Sequence, residues 1–422
     1  MAYELLIGLR YLRAKRKSTF ISIITFISTA GVALGVMALI VVLAVMTGFE
    51  EDLKDKILGT NAHVVVLKTS GEIGDYPAVM DKLKRVNGVV AATPFVYSQV
   101  MLSTGANVSG VVLRGIEPRS DAQVTNLNKS LVEGKLTDLD GTVAGDAETP
   151  PLPGLIIGKE LAKNLNVFVG DTLNIVSPMG NITPFGMVPK MKRFRVAGIF
   201  NTGMFEYDST LAYIGLQQAQ EFLSLGNAVT GIQLRVKDVY QADKIAEAIN
   251  KGFGYDFYAR DWMRMNKNIL FALKTEKMVM FIILTLIVLV AAFGIASTLF
   301  MVVMEKTKDI AILKSMGATG TSIMKIFVLE GLIIGIAGTV IGVLSGLLIA
   351  HNLEFIVDLI KKVTGFELFS RDVYYLDHFP SQVVPSDVLL ISLTAIFISF
   401  VATLYPAWQG SRLPPAEALR YE

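Results

Sequence analysis

Residues that usually carry catalysis are scarce in this chain of 422 residues and occur in no catalytic spacing. The chain has no Cys, and its three His residues, His63, His351 and His378, lie far apart. Gly134-Lys135 is followed by Leu136 instead of Ser or Thr, so no Walker A loop is present. No nucleophile-elbow or zinc-protease motif occurs either. We therefore expect no enzyme activity, metal or cofactor on this chain.

One segment with an unusual composition, Ser177–Lys190, suggests recognition rather than catalysis. It joins two strand-like runs and contains Pro178, Pro184 and Pro189, which disfavour a continuing strand. It also carries apolar residues that loops usually avoid: Met179, Ile182, Phe185, Met187 and Val188. Exposed, these side chains form an adaptable recognition tip; folded back, they form a satellite core. The residues alone leave both interpretations open.

A second segment, Glu305–Ala318, reads as a short amphipathic helix. Ile310, Leu313 and Met316 give it an apolar edge, and Gly317 is suited to end it. Such an edge between two membrane spans needs a partner if it is exposed. A connector that lies on the membrane is the alternative.

Four long apolar segments are the elements that position these two segments. Each contains no Asp, Glu, Lys or Arg and is longer than the roughly 20 residues that cross a bilayer as a helix. Hydrophobic residues make up 52% of the chain and charged residues 18%, which fits a membrane protein with a sizeable soluble part. A formal charge of +2 gives no basic excess for binding nucleic acid. The four charge-free segments are Ser18–Phe49, Met278–Met304, Gly331–Leu353 and Val388–Ser411.

The distribution of basic residues predicts the orientation. Lys and Arg are concentrated before the first span, in the loop 305–325 and in the tail, which places these parts in the cytoplasm. The segment Glu50–Lys277 mixes strand-like and helical runs and predicts an α+β domain outside, in which Asp138–Pro153 is a loop or a seam between subdomains. The expected parts are an interfacial helix that contacts membrane lipids over 1–17, spans over 18–49, 278–304, 326–353 and 388–411, an outer domain with a helical stalk over 50–277, a coupling-helix loop over 305–325, an outer loop over 354–387 and a tail over 412–422.

Small residues recur every four positions in two of the spans. They predict close helix packing, because packing replaces the hydrophobic drive within lipid. The positions are Gly31, Gly35, Gly331, Gly335, Gly338, Gly342 and Gly346.

Several motifs resemble the LolC/LolE family, the membrane subunits of the lipoprotein-releasing ABC transporter, within the wider MacB/FtsX-like permease class. The resemblance covers nearly the whole chain. It implies four spans with a large MacB-like periplasmic domain between the first and second, in the bacterial inner membrane. The motifs are Gly8-Leu9-Arg10-Tyr11, Met46-Thr47-Gly48-Phe49-Glu50, Arg114-Gly115-Ile116, Asp309-Ile310-Ala311-Ile312-Leu313 and Tyr405-Pro406-Ala407-Trp408.

The resemblance also implies a function. Members take lipoproteins from the membrane and pass them to a periplasmic chaperone, LolA, using ATP and Mg on a separate ATPase, LolD. The coupling helix docks on that ATPase, which assigns a role to Glu305, Asp309, Ile310, Leu313, Met316 and Gly317. A hook that grips the chaperone corresponds to Pro178, Pro184, Phe185, Met187 and Pro189. One face of the first span, with Val42, Met46, Phe49 and Leu53, is expected to line the acyl-chain cavity.

The sequence has features that resemble both types of subunit in this family. The hook is similar to that of LolC-type subunits, whereas the outer loop Gly365–Ser381 is more similar to LolE-type subunits. This mixture suggests a second permease subunit that is either an identical copy or the other type. A MacB-like export subunit and an FtsX-like signalling subunit are the alternative functions.

Overall fold

The computed structural model describes residues 19–143, 150–183, 186–365 and 380–414. The expected interfacial helix over 1–17, most of the tail and residues 366–379 of the outer loop lie outside these residues. The chain divides into two compact units. The membrane unit runs through Asp52 and resumes at Phe271, and the inserted unit covers Leu53–Leu270.

Among the described residues, four helices are long and apolar enough to cross a membrane. Two of them extend well beyond their charge-free segments. The described part of α1 has 42 residues and α10 has 39, which at 1.5 Å per residue is roughly twice the 30 Å of a hydrocarbon core. The helices of the chain outside the inserted unit are α1 (Thr19–Thr60), α10 (Lys267–Glu305), α11 (Thr307–Ser315), α12 (Gly320–His351), α13 (Leu353–Thr364) and α14 (Pro385–Ser411).

Two bounds differ from the sequence expectation. The third membrane helix, α12, begins at Gly320 and not at 326, because the Thr319 side chain accepts a hydrogen bond from the Ser322 N–H and caps it. Part of the expected outer loop is the helix α13, whose exposed Phe355 and Val363 lie two turns apart on one face. This face is suited to a membrane interface.

The inserted unit has α+β architecture, as the sequence predicts. Its strands pair in the order β11-β1-β10-β2-β3-β9-β6-β8-β4, and β7 pairs with both β2 and β8. The strands are β1 (Val64–Lys68), β2 (Val89–Ser103), β3 (Val108–Ile116), β4 (Leu131–Glu133), β5 (Thr142–Val143), β6 (Leu152–Gly158), β7 (Thr172–Thr183), β8 (Gly186–Phe200), β9 (Leu211–Gly215), β10 (Gly231–Val236) and β11 (Phe257–Asp261).

These pairings close a ring of six strands, since β2, β3, β9, β6, β8 and β7 each pair with the next and β7 returns to β2. Helices pack around the sheet, and the main apolar core includes Phe194, Leu155 and Trp262. The helices are α2 (Tyr76–Lys84), α3 (Pro118–Val124), α4 (Leu127–Ser130), α5 (Lys159–Leu165), α6 (Phe205–Thr210), α7 (Leu216–Leu223), α8 (Ala242–Gly252) and α9 (Trp262–Met265).

Candidate functional site

The glycines of α12 bring it close to two other membrane helices. Gly338, Gly342 and Gly346 face α1, and a Cβ added at Gly342 would lie 2.7 Å from the carbonyl oxygen of Ala33. Gly331 and Gly335 face α14 instead. The glycines at four-residue spacing therefore lie at close helix contacts, as the sequence predicts. They contact two helices, α1 and α14, because α12 lies between these two.

The part of α1 around Gly48 contacts the segment that precedes α14. A Cβ at Gly48 would lie 2.7 Å from the backbone of Pro380 and Ser381, so only glycine allows this approach. The Gln382 N–H donates to the carbonyl oxygen of Ala44 at 2.9 Å. This close approach explains why the Met46–Glu50 motif contains a glycine at position 48.

A polar cluster links three membrane helices at the same level. The Lys277 ammonium lies 3.0 Å from a carboxylate oxygen of Asp387 and donates to the Thr47 hydroxyl at 3.0 Å. Sequence reasoning missed this cluster because it treated Lys277 and Asp387 only as the ends of flanking segments. The available signal was their position, since each is the charge next to an apolar run.

The four expected acyl-lining residues are only partly exposed. Val42 packs in part against the core of the membrane unit, whereas Met46 and Phe49 are half-buried. Leu53 is the first residue of the inserted unit and packs against the core of that unit. Part of the Leu53 side chain is therefore not available to contact an acyl chain. Ile40, on another face of α1, is 2% exposed.

The segment expected to be a loop with three prolines is a β-hairpin. Its strands β7 and β8 remain paired as far as Thr183 and Gly186. The prediction that proline disfavours a continuing strand is therefore wrong for Pro178 and Pro189. The register shifts between Ser177 and Asn181, so Pro178 and Pro189 both lie where the ladder is interrupted. Proline is tolerated there because its missing N–H breaks no ladder hydrogen bond.

The distal part of this hairpin leaves the sheet. Beyond Ser177 on β7 and before Arg195 on β8, the two strands pair only with each other among the described strands. Val188 and Met191 are exposed, and so are Pro178 and Pro189. Pro184 and Phe185 lie outside the described residues, and for Met187 the structure describes the backbone alone.

Two lysines hold the base of the hairpin on α7. The Lys190 ammonium donates to the Ser224 hydroxyl at 2.5 Å, and Lys192 pairs with Glu221 at 2.7 Å. The pKa of Glu221 is lowered by the hydrogen bond and charge of Lys192. The hairpin is therefore anchored by polar contacts at its base, while its distal strands present apolar side chains.

The helix α11 covers the segment expected to dock on an ATPase, and part of its predicted apolar edge packs on the membrane unit. Ile310 is 1% exposed and packs with Ile323 and Phe327, and Leu313 packs partly against the same cluster. The membrane unit therefore covers Ile310 itself, whereas Leu313 remains half-buried. The exposed apolar side chains are Met316 and Ile312, one turn apart.

Several contacts fix the ends of α11. The Lys314 ammonium donates to the carbonyl oxygens of Ser411 at 2.7 Å and Leu413 at 2.8 Å, at the end of α14. Asp309 pairs with Lys306 at 3.3 Å, and Glu305 is exposed. Gly317 adopts a φ of +99° directly after the helix, which explains a glycine at the position predicted to end it.

A buried carboxylate, that of Glu330, lies within the membrane helix α12. Glu330 is 3% exposed, and one of its carboxylate oxygens has no hydrogen-bond partner among the described residues. Ionisable side chains inside membrane helices usually have a functional reason. The sequence analysis did not single out Glu330, although it directly precedes a charge-free run.

Polar side chains connect the end of α1 to the sheet of the inserted unit. The Asn61 amide donates to the Tyr207 hydroxyl at 2.8 Å and accepts from the Arg114 guanidinium at 3.4 Å. Burial raises the pKa of Tyr213 to about 12, despite the nearby Arg114 guanidinium. The Arg114-Gly115-Ile116 motif thus has a local role in joining a helix end to strand β3.

Two titratable groups nearby have shifted pKa values. Burial raises the pKa of Asp121 to about 6, although the hydrogen bond from Thr125 and the charge of Arg114 oppose the shift. Burial lowers the pKa of His63, whose Nδ1 accepts the Val236 N–H at 3.2 Å. Both shifts favour the neutral side chain, as expected for groups removed from water. Within the described ranges, no group of His, Asp and Glu is arranged to hold a metal.

Two family models divide the chain between them. The MacB-like periplasmic core domain matches residues 25–251, and the FtsX-like permease C-terminal domain matches residues 281–415. Together with the four apolar helices, they define a membrane permease of the MacB/FtsX class.

Full-length relatives narrow this class. The chain is 38% identical over 99% of its length to the lipoprotein-releasing system transmembrane protein LolC of Neisseria meningitidis, covering 99% of that protein. It is 30% identical to LolE of Haemophilus influenzae, with 98% of both chains covered, and 27% identical to LolC of the same organism, with 99% of both covered. The chain belongs to the LolC/LolE family, a permease family that is not itself an ATPase.

Proposed function

We propose that the chain is the transmembrane subunit of an ABC transporter that extracts lipoproteins from the bacterial inner membrane and passes them to a periplasmic chaperone. The observation that carries this proposal is the identity of 38% over nearly the full length to a lipoprotein-releasing system protein. In the orientation predicted from the distribution of basic residues, the inserted unit lies in the periplasm and α11 lies in the cytoplasm. ATP and Mg bind to a separate LolD-like ATPase, and no nucleic acid is involved.

The energetics of lipid anchors constrain how such a transporter works. Each buried methylene contributes about 0.8 kcal/mol, so a triacyl anchor with about forty methylenes would need on the order of 30 kcal/mol to enter water. The anchor must therefore stay covered between the bilayer and the chaperone. The half-buried face of α1 with Val42, Met46 and Phe49 is the proposed start of that covered path, with Leu53 making a smaller contribution.

The proposed contact with the ATPase is the exposed edge of α11. Its apolar anchors are Met316 and Ile312, with Glu305 and Asp309 at its polar border. Ile310 and Leu313 support this surface from below, because they fix α11 on the membrane unit. The C-terminal Gly317 sets the direction in which the chain leaves the helix.

The proposed chaperone contact is the hairpin over 178–189. Its strands are paired with each other, which limits their freedom and lowers the ordering cost of binding. Exposed Pro178, Val188 and Pro189 border the tip, where Phe185 is the proposed main anchor and Met187 adapts around it. A LolA-like chaperone with an apolar groove is the expected partner.

The second permease subunit is proposed to be an identical copy. Similarity to both subunit types supports this, since identity within Haemophilus influenzae is 30% to LolE and 27% to LolC. Differently tagged copies of the chain, expressed together, should copurify with one another and with the ATPase. Copurification only with a different permease subunit would instead support a LolC/LolE-type heterodimer.

Reconstitution tests the proposed function directly. The permease and its ATPase, inserted into vesicles that contain a triacylated lipoprotein, should release that lipoprotein into the soluble fraction only when ATP and the chaperone are both present. An ATPase variant that binds ATP without hydrolysing it is the control. Robust ATP hydrolysis without lipoprotein release would support a MacB-like export subunit or an FtsX-like signalling subunit instead.

A further inference from the structure

An apolar groove runs between α12 and α14 in the membrane unit. Its volume is about 420 Å³, within the range of small-molecule sites. Val328 and Leu329 of α12 form one wall, and Phe400 and Leu404 of α14 form the other. The groove is separate from the face of α1 proposed to carry the substrate anchor, because no residue of α1 lines it.

The mouth of the groove carries one cation. Lys325 lines it, is exposed, and makes no hydrogen bond or ion pair within the described part of the chain. It precedes the charge-free run that begins at Gly331 by six residues, or about 9 Å along the helix. The headgroup layer lies just outside the roughly 30 Å hydrocarbon core, so the ammonium reaches the level of lipid phosphates.

We propose that this groove binds one anionic phospholipid. The phosphate lies against the Lys325 ammonium, and an acyl chain follows the wall of Val328, Phe400 and Leu404. The leaflet is the one opposite the inserted unit, which is the cytoplasmic leaflet if the orientation given under the proposed function is correct. Charge complementarity selects an anionic headgroup, because the groove carries a cation at its mouth and no carboxylate among its lining residues.

The apolar walls and the cation contribute differently to this site. An acyl chain that enters the groove leaves one hydrocarbon environment for another, so the walls supply shape and little net hydrophobic gain. Selectivity between lipids must come from the headgroup. A lysine near the membrane surface is expected to enrich an anionic over a zwitterionic lipid about fivefold.

Lipid retention tests the site. The complete permease–ATPase complex is taken from vesicles with equal phosphatidylglycerol and phosphatidylethanolamine, and its bound lipids are measured by native mass spectrometry. Wild type should retain phosphatidylglycerol about fivefold over phosphatidylethanolamine. Lys325→Gln should abolish the preference, and Lys325→Arg should keep it. Lys308→Gln, at an exposed lysine of α11 outside the groove, is the matched control and should match wild type.

A second variant addresses the walls. Leu404→Trp fills the groove and should reduce the retention of both lipids, with Leu393→Trp, an exposed position of α14 away from it, as control. An unchanged preference in Lys325→Gln would overturn the proposal. Loss of the ATPase in that variant with the lipid preference intact would show that Lys325 contacts a protein instead. Lipid retention does not require lipoprotein release, so the two proposals can fail separately.

Discussion

The hairpin over 178–189 and the coupling helix α11 look alike in sequence but use their apolar residues differently. Both are short segments with apolar side chains between more regular elements. In α11, Ile310 is buried in the core of the membrane unit, whereas Ile312 and Met316, the residue directly after the helix, are exposed. In the hairpin, the distal strands pair only with each other among the described strands and keep Val188 exposed.

This difference teaches that an apolar stripe does not reveal which partner it serves. Apolar residues that are close in the sequence of a helix can lie on two different faces of it, and one of these faces can pack against the protein's own core. The distal strands of the hairpin pair only with each other among the described strands, and Val188 on them stays exposed. Apolar residues at its tip are therefore better indicators of an external partner than an apolar edge on a connecting helix.

The largest effect is expected at Ile310. Ile310→Asp places a charge in an apolar cluster without a partner, which should destabilise the membrane unit by several kcal/mol. Thermal unfolding of the full chain in detergent, followed by size-exclusion chromatography, measures this. Ile312→Asp, two positions away but exposed, should unfold as wild type does. Equal loss in both variants would contradict the assignment of two different edges.

The stability of the inserted unit should depend on pH through Asp121. Its pKa is about 6 when folded and 3.8 as a free side chain, so the folded state binds the proton more tightly. The contribution of Asp121 is therefore fully present below pH 4 and is lost as pH rises through 6, by at most about 3 kcal/mol. Asp121→Asn removes this dependence.

The measurement for Asp121 uses tryptophan fluorescence. The chain has two tryptophans, and Trp262 is buried in the inserted unit, so a Trp408→Phe background isolates its signal. The free energy of unfolding of Asp121→Asn, minus that of wild type, should therefore increase as the pH rises from 4.5 to 7.5. The lowered pKa of His63 acts on both proteins alike and drops out of the difference. A constant difference across this range would contradict the prediction.

The exposed edge of α11 should matter for assembly rather than for folding. Met316→Asp should weaken binding of the ATPase by about thirtyfold, or 2 kcal/mol, because a charge would be desolvated at an apolar contact. Leu313→Asp should lower both binding and thermal stability, since Leu313 also packs on the membrane unit. Titration of the labelled ATPase onto purified permease separates the two cases. Normal binding by Met316→Asp would remove the proposed coupling surface.

The smallest effect is expected at the base of the hairpin. Lys192 and Glu221 form a surface ion pair, and such pairs usually contribute little to stability because solvent screens them. Lys192→Ala should therefore leave the unfolding temperature of the inserted unit nearly unchanged. A large loss of stability would mean that the hairpin is part of the core and not a separate recognition element.

The sequence predicts the membrane helices well because charge-free runs of this length have few alternatives. It misses β6, whose first residues fall within the expected loop Asp138–Pro153. Leu155, Ile156 and Ile157 form only a short buried run, and Pro153 and Gly154 resemble turn residues, although β6 pairs in parallel with β8. Short parallel strands are defined by neighbours that are distant in sequence, which local patterns do not contain.

The candidate sites were predicted less completely. The glycine contacts of α12 follow from spacing alone. The Lys277–Asp387 pair and the buried edge of α11 do not, because they depend on which helices become neighbours. The hairpin was predicted as a loop because the rule against proline in strands takes no account of a register shift that places both prolines outside the ladder.

One measurement tests the central claim, that the hairpin tip binds the chaperone, most directly. Phe185→Asp is compared with Phe168→Asp, which alters an exposed phenylalanine elsewhere in the inserted unit. Chaperone binding and the unfolding of Trp262 are both measured on the full chain in detergent. We predict that Phe185→Asp abolishes binding without changing the unfolding temperature, while Phe168→Asp changes neither. Retained binding together with a lowered unfolding temperature for Phe185→Asp would contradict the claim, because it would place Phe185 in the domain core.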